Sequence, residues 1–123
     1  MSSLNLNSLL RMARLFPPQE RTHYSIVLHK NKIVAVGTEN RGKTHPKAKA
    51  LGYKYPTIHS ELAAYIELEQ DPAKCILVNL RVSPTGKIGM ARPCRYCLGW
   101  VTEMFGSVWY TDQHGLFQKL GDE

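Results

Sequence analysis

One sheet covered by helices, in a single α/β or α+β layer structure, is the fold class that this 123-residue chain predicts. Three observations carry it. Segments alternating with period two are interleaved with segments whose apolar residues recur every three to four positions, in the order α-β-β-α-β-α-β-β. The most apolar short segment, Cys75 to Val82, has the length of a strand and reads as a central one covered on both faces. The length suits one domain, and 43% hydrophobic residues can fill one core, so residues 1–123 are read as a single domain.

The elements follow in order. Asn5 to Phe16 reads as an opening helix with Leu6, Leu9, Leu10 and Ala13 on one stripe, and Pro17-Pro18 stops it. His23 to His29 and Lys32 to Thr38 alternate and are rich in β-branched residues, with Lys30-Asn31 as a two-residue hairpin connection. Asn40 to Pro56 is a long basic loop. Thr57 to Gln70 is helical, with Leu62, Ala63, Ile66 and Tyr65 as its apolar stripe, and Pro72 ends it. After the Cys75 to Val82 strand, Pro84-Thr85-Gly86 makes a turn. A second core helix runs from about Cys94 to Phe105 and stops at Gly106; Val108 to Thr111 and Leu116 to Leu120 are strands joined through Asp112-Gln113-His114-Gly115.

Composition excludes several classes of protein. The longest unbroken apolar run, Leu62 to Ile66, is five residues, far short of the ~20 that a bilayer-crossing helix needs. No membrane association is expected. Three cysteines cannot pair completely, and with no signal peptide recognisable the expected location is the reducing cytoplasm, where close thiols mean metal or catalysis more often than disulfides. The net charge of +6 is clustered: Arg41, Lys43, Lys47, Lys49 and Lys54 lie in a stretch without acidic residues, as do Lys74, Arg81, Lys87, Arg92 and Arg95. Such stretches are either solvated faces or fields for an anionic partner.

Two short motifs carry the chemistry: His59-Ser60-Glu61 at the start of one core helix, and Pro93-Cys94-Arg95-Tyr96-Cys97 at the start of the next. Cysteines three apart at a helix start project from one face, where the helix dipole favours the thiolate form. Two thiolates and one imidazole give three ligands, which leaves the fourth tetrahedral position of a zinc ion for water, as in catalytic sites. Glu61, two residues beyond His59, is placed to act as a base beside the metal without binding it. A redox-active Cys-x-x-Cys pair and half of a four-ligand structural zinc site are the alternatives, although no second pair exists. Cys75 reads as a buried small hydrophobe.

H-x-E followed by P-C-x-x-C is the signature of the zinc deaminases, and by it the chain resembles the cytidine deaminase superfamily from His23 to Leu120. The resemblance implies a three-layer α/β fold with a mixed five-stranded sheet, Zn2+ held by His59, Cys94 and Cys97, and Glu61 as the catalytic proton shuttle. Asn40 sits where many members have an asparagine that contacts the nucleoside. The closing hairpin resembles the branch containing free cytidine deaminases, plant editing domains and bacterial toxin deaminases. Lys43-Thr44-His45-Pro46 and Ala91-Arg92-Pro93-Cys94 are similar to stretches of small phage deaminases, which implies a bacterial or phage-infected host cell. Ser60 stands where alanine is commoner, and Arg92 where nucleic-acid-editing relatives often carry serine.

The reaction so implied is hydrolytic deamination of cytosine to uracil. Two substrates are weighed: single-stranded nucleic acid, tracked by the basic loop and its tyrosines, and a free pyrimidine nucleotide or nucleoside such as dCMP, CMP or cytidine. Asn40, Arg41, Lys43, His45, Tyr53, Ser60, Arg92 and Tyr110 are the residues expected to contact it. A catalytically silent zinc-stabilised module is a third reading, against which the intact Glu61 argues. Relatives form dimers or tetramers through helix faces, so a homo-oligomer is an expected state beside the monomer.

Overall fold

Two neighbouring residues with positive φ, Lys30 (51°) and Asn31 (65°), reverse the chain between its first two strands, which is the geometry that a right-twisted hairpin requires. The structure, a computed structural model, describes residues 22–38, 40–41, 57–83, 85 and 87–122. Strand β1 (Thr22–His29) pairs antiparallel with β2 (Lys32–Thr38), as the alternation predicts. The opening helix expected at Asn5 to Phe16 lies outside the described residues.

The main sheet is mixed. Its order is β2-β1-β5-β7-β8, where β5 is Ile76–Val82, β7 is Ser107–Thr111 and β8 is Phe117–Lys119. Only β5 and β7 run parallel; the other pairs along this order are antiparallel. A sixth strand, β6 (Ile88–Gly89), adds two residues beside the end of β5 and has no counterpart in the sequence reading. Where the sequence suggests one long loop, the ends are paired: β3 (Asn40–Arg41) lies antiparallel to β4 (Thr57–Ile58). Helix α1 is therefore shorter than expected, Ser60–Glu67, because the residues before His59 are extended. Helix α2 is Arg95–Met104, and a 3-10 turn, Pro72–Lys74, leads into β5.

Alternation along β1 and β5 divides the core into two faces. Tyr24, Ile26 and Leu28 stand opposite Leu80, Val78 and Ile76 on one face, with Trp109 and Phe117 beside them. Val27, Leu77 and Val108 lie on the other face and pack with Leu62 and Ala64 of α1 and Cys97, Trp100 and Val101 of α2. Trp100 joins the helices at this layer, its ring edge-on to Tyr65 at a centroid distance of 5.4 Å, a favoured aromatic geometry.

The buried face of α1 is wider than the stripe expected from its apolar residues: Leu62 is in the core with Tyr65 and Ile66 packed against it, and the first turn is buried as well. Ser60, Glu61, Leu62 and Ala64 are buried, whereas Ala63 and Ile66 are only partly covered. Gly37 on β2 is the reason: a Cβ at that position would stand 2.3 Å from both Ala64 N and Ser60 O. The helix backbone rests directly on the strand there. That contact turns the start of α1, polar residues included, into the interior.

Candidate metal centre

Extended backbone delivers the last residue before each helix. His59 is the residue capping α1, with φ −69° and ψ 155°, and Cys94 caps α2, with φ −69° and ψ 170°. Neither side chain makes a capping bond. Each helix instead begins with backbone bonds, Ala63 N–H to His59 O at 2.9 Å and Leu98 N–H to Cys94 O at 2.8 Å. The side chains are thereby turned toward each other rather than back onto their own helices. The approach to Cys94 is fixed to the sheet: Ala91 N–H donates to Thr111 O at 2.8 Å, and Thr111 Oγ1 donates to Gly89 O at 2.6 Å.

His59 Nδ1 lies 3.6 Å from Cys94 Sγ and 3.7 Å from Cys97 Sγ, and the ligand atoms of the three residues all fall within 4.8 Å of one another. A tetrahedral zinc ion with bonds of roughly 2.3 Å to sulfur and 2.0–2.1 Å to nitrogen separates such ligands by about 3.6 Å. The donor set fits that ion. Hydrogen bonding from Cys97 holds the Cys94 thiol down at about 3, against the opposing effect of burial and with further help from His59, so the sulfur is a thiolate, the form that metals bind. Cys75 behaves oppositely. It is buried at the start of β5, its thiol is pushed up by burial and by Asp71, and its Sγ contacts Asp71 O at 3.4 Å.

Glu61 stands outside the ligand cluster and is only 3% exposed. Its Oε1 accepts a 3.0 Å hydrogen bond from Ser60 Oγ. Ser60, itself 1% exposed, lies 2.8 Å from Ser25 Oγ of β1, and Ser25 Oγ lies 2.7 Å from Asn79 Oδ1 of β5. A row of polar residues thus occupies the helix-covered face of the sheet directly beneath Glu61.

The row continues to His23, in register with Arg81. Burial, then the Arg81 charge, pushes the His23 imidazole down to about 4, while Glu61 and Cys94 are near enough to pull the other way. His23 Nε2, Asn79 Nδ2 and Arg81 Nε are buried without hydrogen-bond partners among the described residues. Sequence reading singles out none of Ser25, His23, Asn79 or Arg81 as site residues. The available signal was the pair of polar residues, Asn79 and Arg81, at alternate positions of the otherwise apolar β5.

Of the residues expected around the substrate, Asn40 and Arg41 form β3, whose partner β4 leads directly into His59. Lys43, His45 and Tyr53 lie outside the described residues. Ser60 is the buried first residue of α1, bonded to Glu61 and close to Ser25. Arg92 is exposed, two residues before Cys94, and Tyr110 is buried on β7 in register with Asn79. Among the described residues, no helix is long and apolar enough to cross a membrane.

No protein-family model matches the sequence, and no curated protein matches it. The structure is similar to a crystal structure of a mutant cytidine deaminase from Mycobacterium tuberculosis, with a TM-score of 0.59 and 18% sequence identity. That likeness covers 98% of this chain and 94% of the other. The chain therefore has the cytidine deaminase fold, with a histidine and two cysteines gathered where helices α1 and α2 begin.

Proposed function

We propose that the chain is a zinc-dependent hydrolase that replaces the amino group of a cytosine ring by oxygen, releasing ammonia and leaving uracil. The observation that carries this reading is the placing of His59 Nδ1 at 3.6 and 3.7 Å from two cysteine sulfurs, with the buried carboxylate of Glu61 in the first turn of the same helix. Zinc held by His59, Cys94 and Cys97 would act as a Lewis acid that makes water nucleophilic near neutral pH. Glu61 would take one proton from the attacking water and pass it to the ring nitrogen next to the amino-bearing carbon, then take the second proton from the hydroxyl added to that carbon and deliver it to the amino group, which leaves as ammonia. Burial serves this role, because a carboxylate withheld from bulk water exchanges protons with the bound substrate alone.

Single-stranded nucleic acid is the substrate that the charge pattern favours. Arg41 closes β3, and Lys43, Lys47, Lys49 and Lys54, the last flanked by Tyr53 and Tyr55, follow it in sequence; cations interleaved with aromatics suit a strand with unstacked bases. A free nucleotide such as dCMP or CMP is favoured by a different observation, the buried and unbonded Nε of Arg81 on the face that carries Asn79, since a guanidinium matches a single phosphate group.

The test is a mass-spectrometry panel of cytidine, deoxycytidine, CMP, dCMP and single-stranded DNA and RNA, incubated with zinc-loaded protein and with Glu61→Ala. Conversion of oligonucleotides that depends on Glu61 and falls steeply with salt supports the first substrate. Conversion of monomers alone supports the second. A Glu61→Ala protein that still converts substrate at the parental rate refutes the assignment of that residue.

A further inference from the structure

Glu61 sits at the end of a buried chain of four polar side chains, and the protons along that chain must be accounted for. Its contacts are Asn79 Oδ1 to Ser25 Oγ at 2.7 Å, Ser25 Oγ to Ser60 Oγ at 2.8 Å, and Ser60 Oγ to Glu61 Oε1 at 3.0 Å. All four residues are at most 3% exposed. Each serine hydroxyl has one proton to give. With Glu61 Oε1 accepting from Ser60 and the Asn79 oxygen accepting from Ser25, two protons must serve three contacts, and the contact between the serines is left without a hydrogen. At the same time Asn79 Nδ2, which carries two protons, is buried with no partner.

Both defects are reduced together if the Asn79 amide is turned by a half rotation, an exchange of oxygen and nitrogen that only bonding can decide: every contact gains a hydrogen, and one of the two Nδ2 protons gains a partner. Nδ2 then donates to Ser25, Ser25 donates to Ser60, and Ser60 donates to Glu61. Three contacts have three donors, and the carboxylate is the terminal acceptor. The atom left over is a carbonyl oxygen, and a buried acceptor without a partner is better tolerated than a buried N–H.

Resting on the deaminase reading given above, we infer that Asn79, Ser25 and Ser60 are positioning residues for Glu61, joined in a one-way hydrogen-bond chain that anchors the carboxylate to the central strand of the sheet. Geometry supports a positioning role in two further ways. Ser25 and Asn79 are in register on adjacent strands, so the far end of the chain is as rigid as the sheet. The backbone of Ser60 is held by the close contact at Gly37, which fixes where its side chain starts. The chain also gives this protein a use for the serine that stands in place of alanine between His59 and Glu61.

Two measurements test the inference. The first follows the side-chain amide of Asn79 by NMR in the wild-type protein, which needs no substrate. One amide proton shifted downfield, slow to exchange with solvent and returned toward ordinary values by Ser25→Ala is the expected result; an unshifted, fast-exchanging amide overturns it. The second measures turnover in Ser25→Ala, Ser60→Ala and the double variant, on whichever substrate the panel identifies. Each single change is expected to lower kcat about ten-fold with KM unchanged, the range typical of losing a group that orients a catalytic one. The double variant is expected to be no worse than Ser60→Ala, because removing Ser60 already disconnects Ser25 from Glu61. Losses that multiply, or kcat unchanged while stability falls, overturn the chain and leave these residues structural. If no substrate is turned over, the deaminase reading fails while the amide spectrum still decides the chain; if Ser60→Ala does not fold, the amide spectrum and Ser25→Ala decide it.

Discussion

Gly37→Ala tests whether the site depends on the backbone contact beneath it. A methyl group at residue 37 would stand 2.3 Å from Ala64 N and 2.3 Å from Ser60 O, and 3.0 Å from Ala63 C. All three are backbone atoms of α1, so no side chain can swing aside. Ordinary contact begins near 3.4 Å, and α1 must therefore withdraw from β2 by roughly 1 Å, in a core packed too tightly to absorb the shift. Inserting a methyl group into a packed core typically costs about 1–3 kcal/mol, and the rigidity of both partners argues for the upper end. The same withdrawal carries Glu61 with it, and a displacement of about 1 Å in a catalytic group can cost on the order of a hundred-fold in rate. Gly99→Ala is the internal control: nothing lies within 4 Å of the added methyl on this exposed position of α2, so it should stabilise by roughly 0.5–1 kcal/mol through helix propensity. Urea denaturation of the three proteins gives the comparison. If Gly37→Ala unfolds within about 0.5 kcal/mol of the parent, α1 does not rest on β2 as described and the placement of Glu61 loses its explanation.

Two other perturbations probe the metal centre and its surroundings. Cys97→Ala should reduce bound zinc, measured by elemental analysis, from about one ion per chain to a trace, and a chelator should lower the Tm of the parent but not of the variant, since a ligand present at 1,000 times its Kd stabilises by about 4 kcal/mol; equal zinc content in both proteins refutes the site. His23 should make stability depend on pH. Its folded-state value of about 4 lies below the ordinary 6.5, so between those values the unfolded chain binds a proton that the folded chain refuses. Stability contributed by neutral His23 is thus present above pH 6.5 and lost as pH falls toward 4, by at most about 3 kcal/mol. His23→Gln should flatten the denaturation free energy of the zinc-loaded protein across that window; identical slopes refute the burial argument.

The parts of the molecule that sequence makes legible are those whose determinants are local. Cys94 and Cys97 are three residues apart at a helix start, so their spacing alone places them on one face, and Glu61, two residues beyond His59, is held in the first turn of the helix that His59 caps. The Lys30-Asn31 hairpin is legible for the same reason, because two residues set the turn. The ladder of β3 and β4 is not, since Asn40 and Ile58 pair across a long basic stretch whose composition suggests only a loop. Nor is the burial of Ser60 and Glu61 at the start of α1, where the helix backbone meets a glycine on another element; the apolar stripe shows only that Leu62, Tyr65 and Ile66 face the core. The polar row shows the same limit at the site itself. Ser25 and Asn79 are 54 positions apart, and each alone reads as a minor interruption of an apolar strand. Only the antiparallel register of β1 and β5 brings them together under Glu61, and a buried polar group without a partner would be costly enough to select against such residues unless they met. A polar residue at an inward position of a central strand is therefore a question that sequence can raise, and its answer is a partner on a neighbouring element. Here the answer leads through Ser60 to the carboxylate on which the proposed chemistry turns.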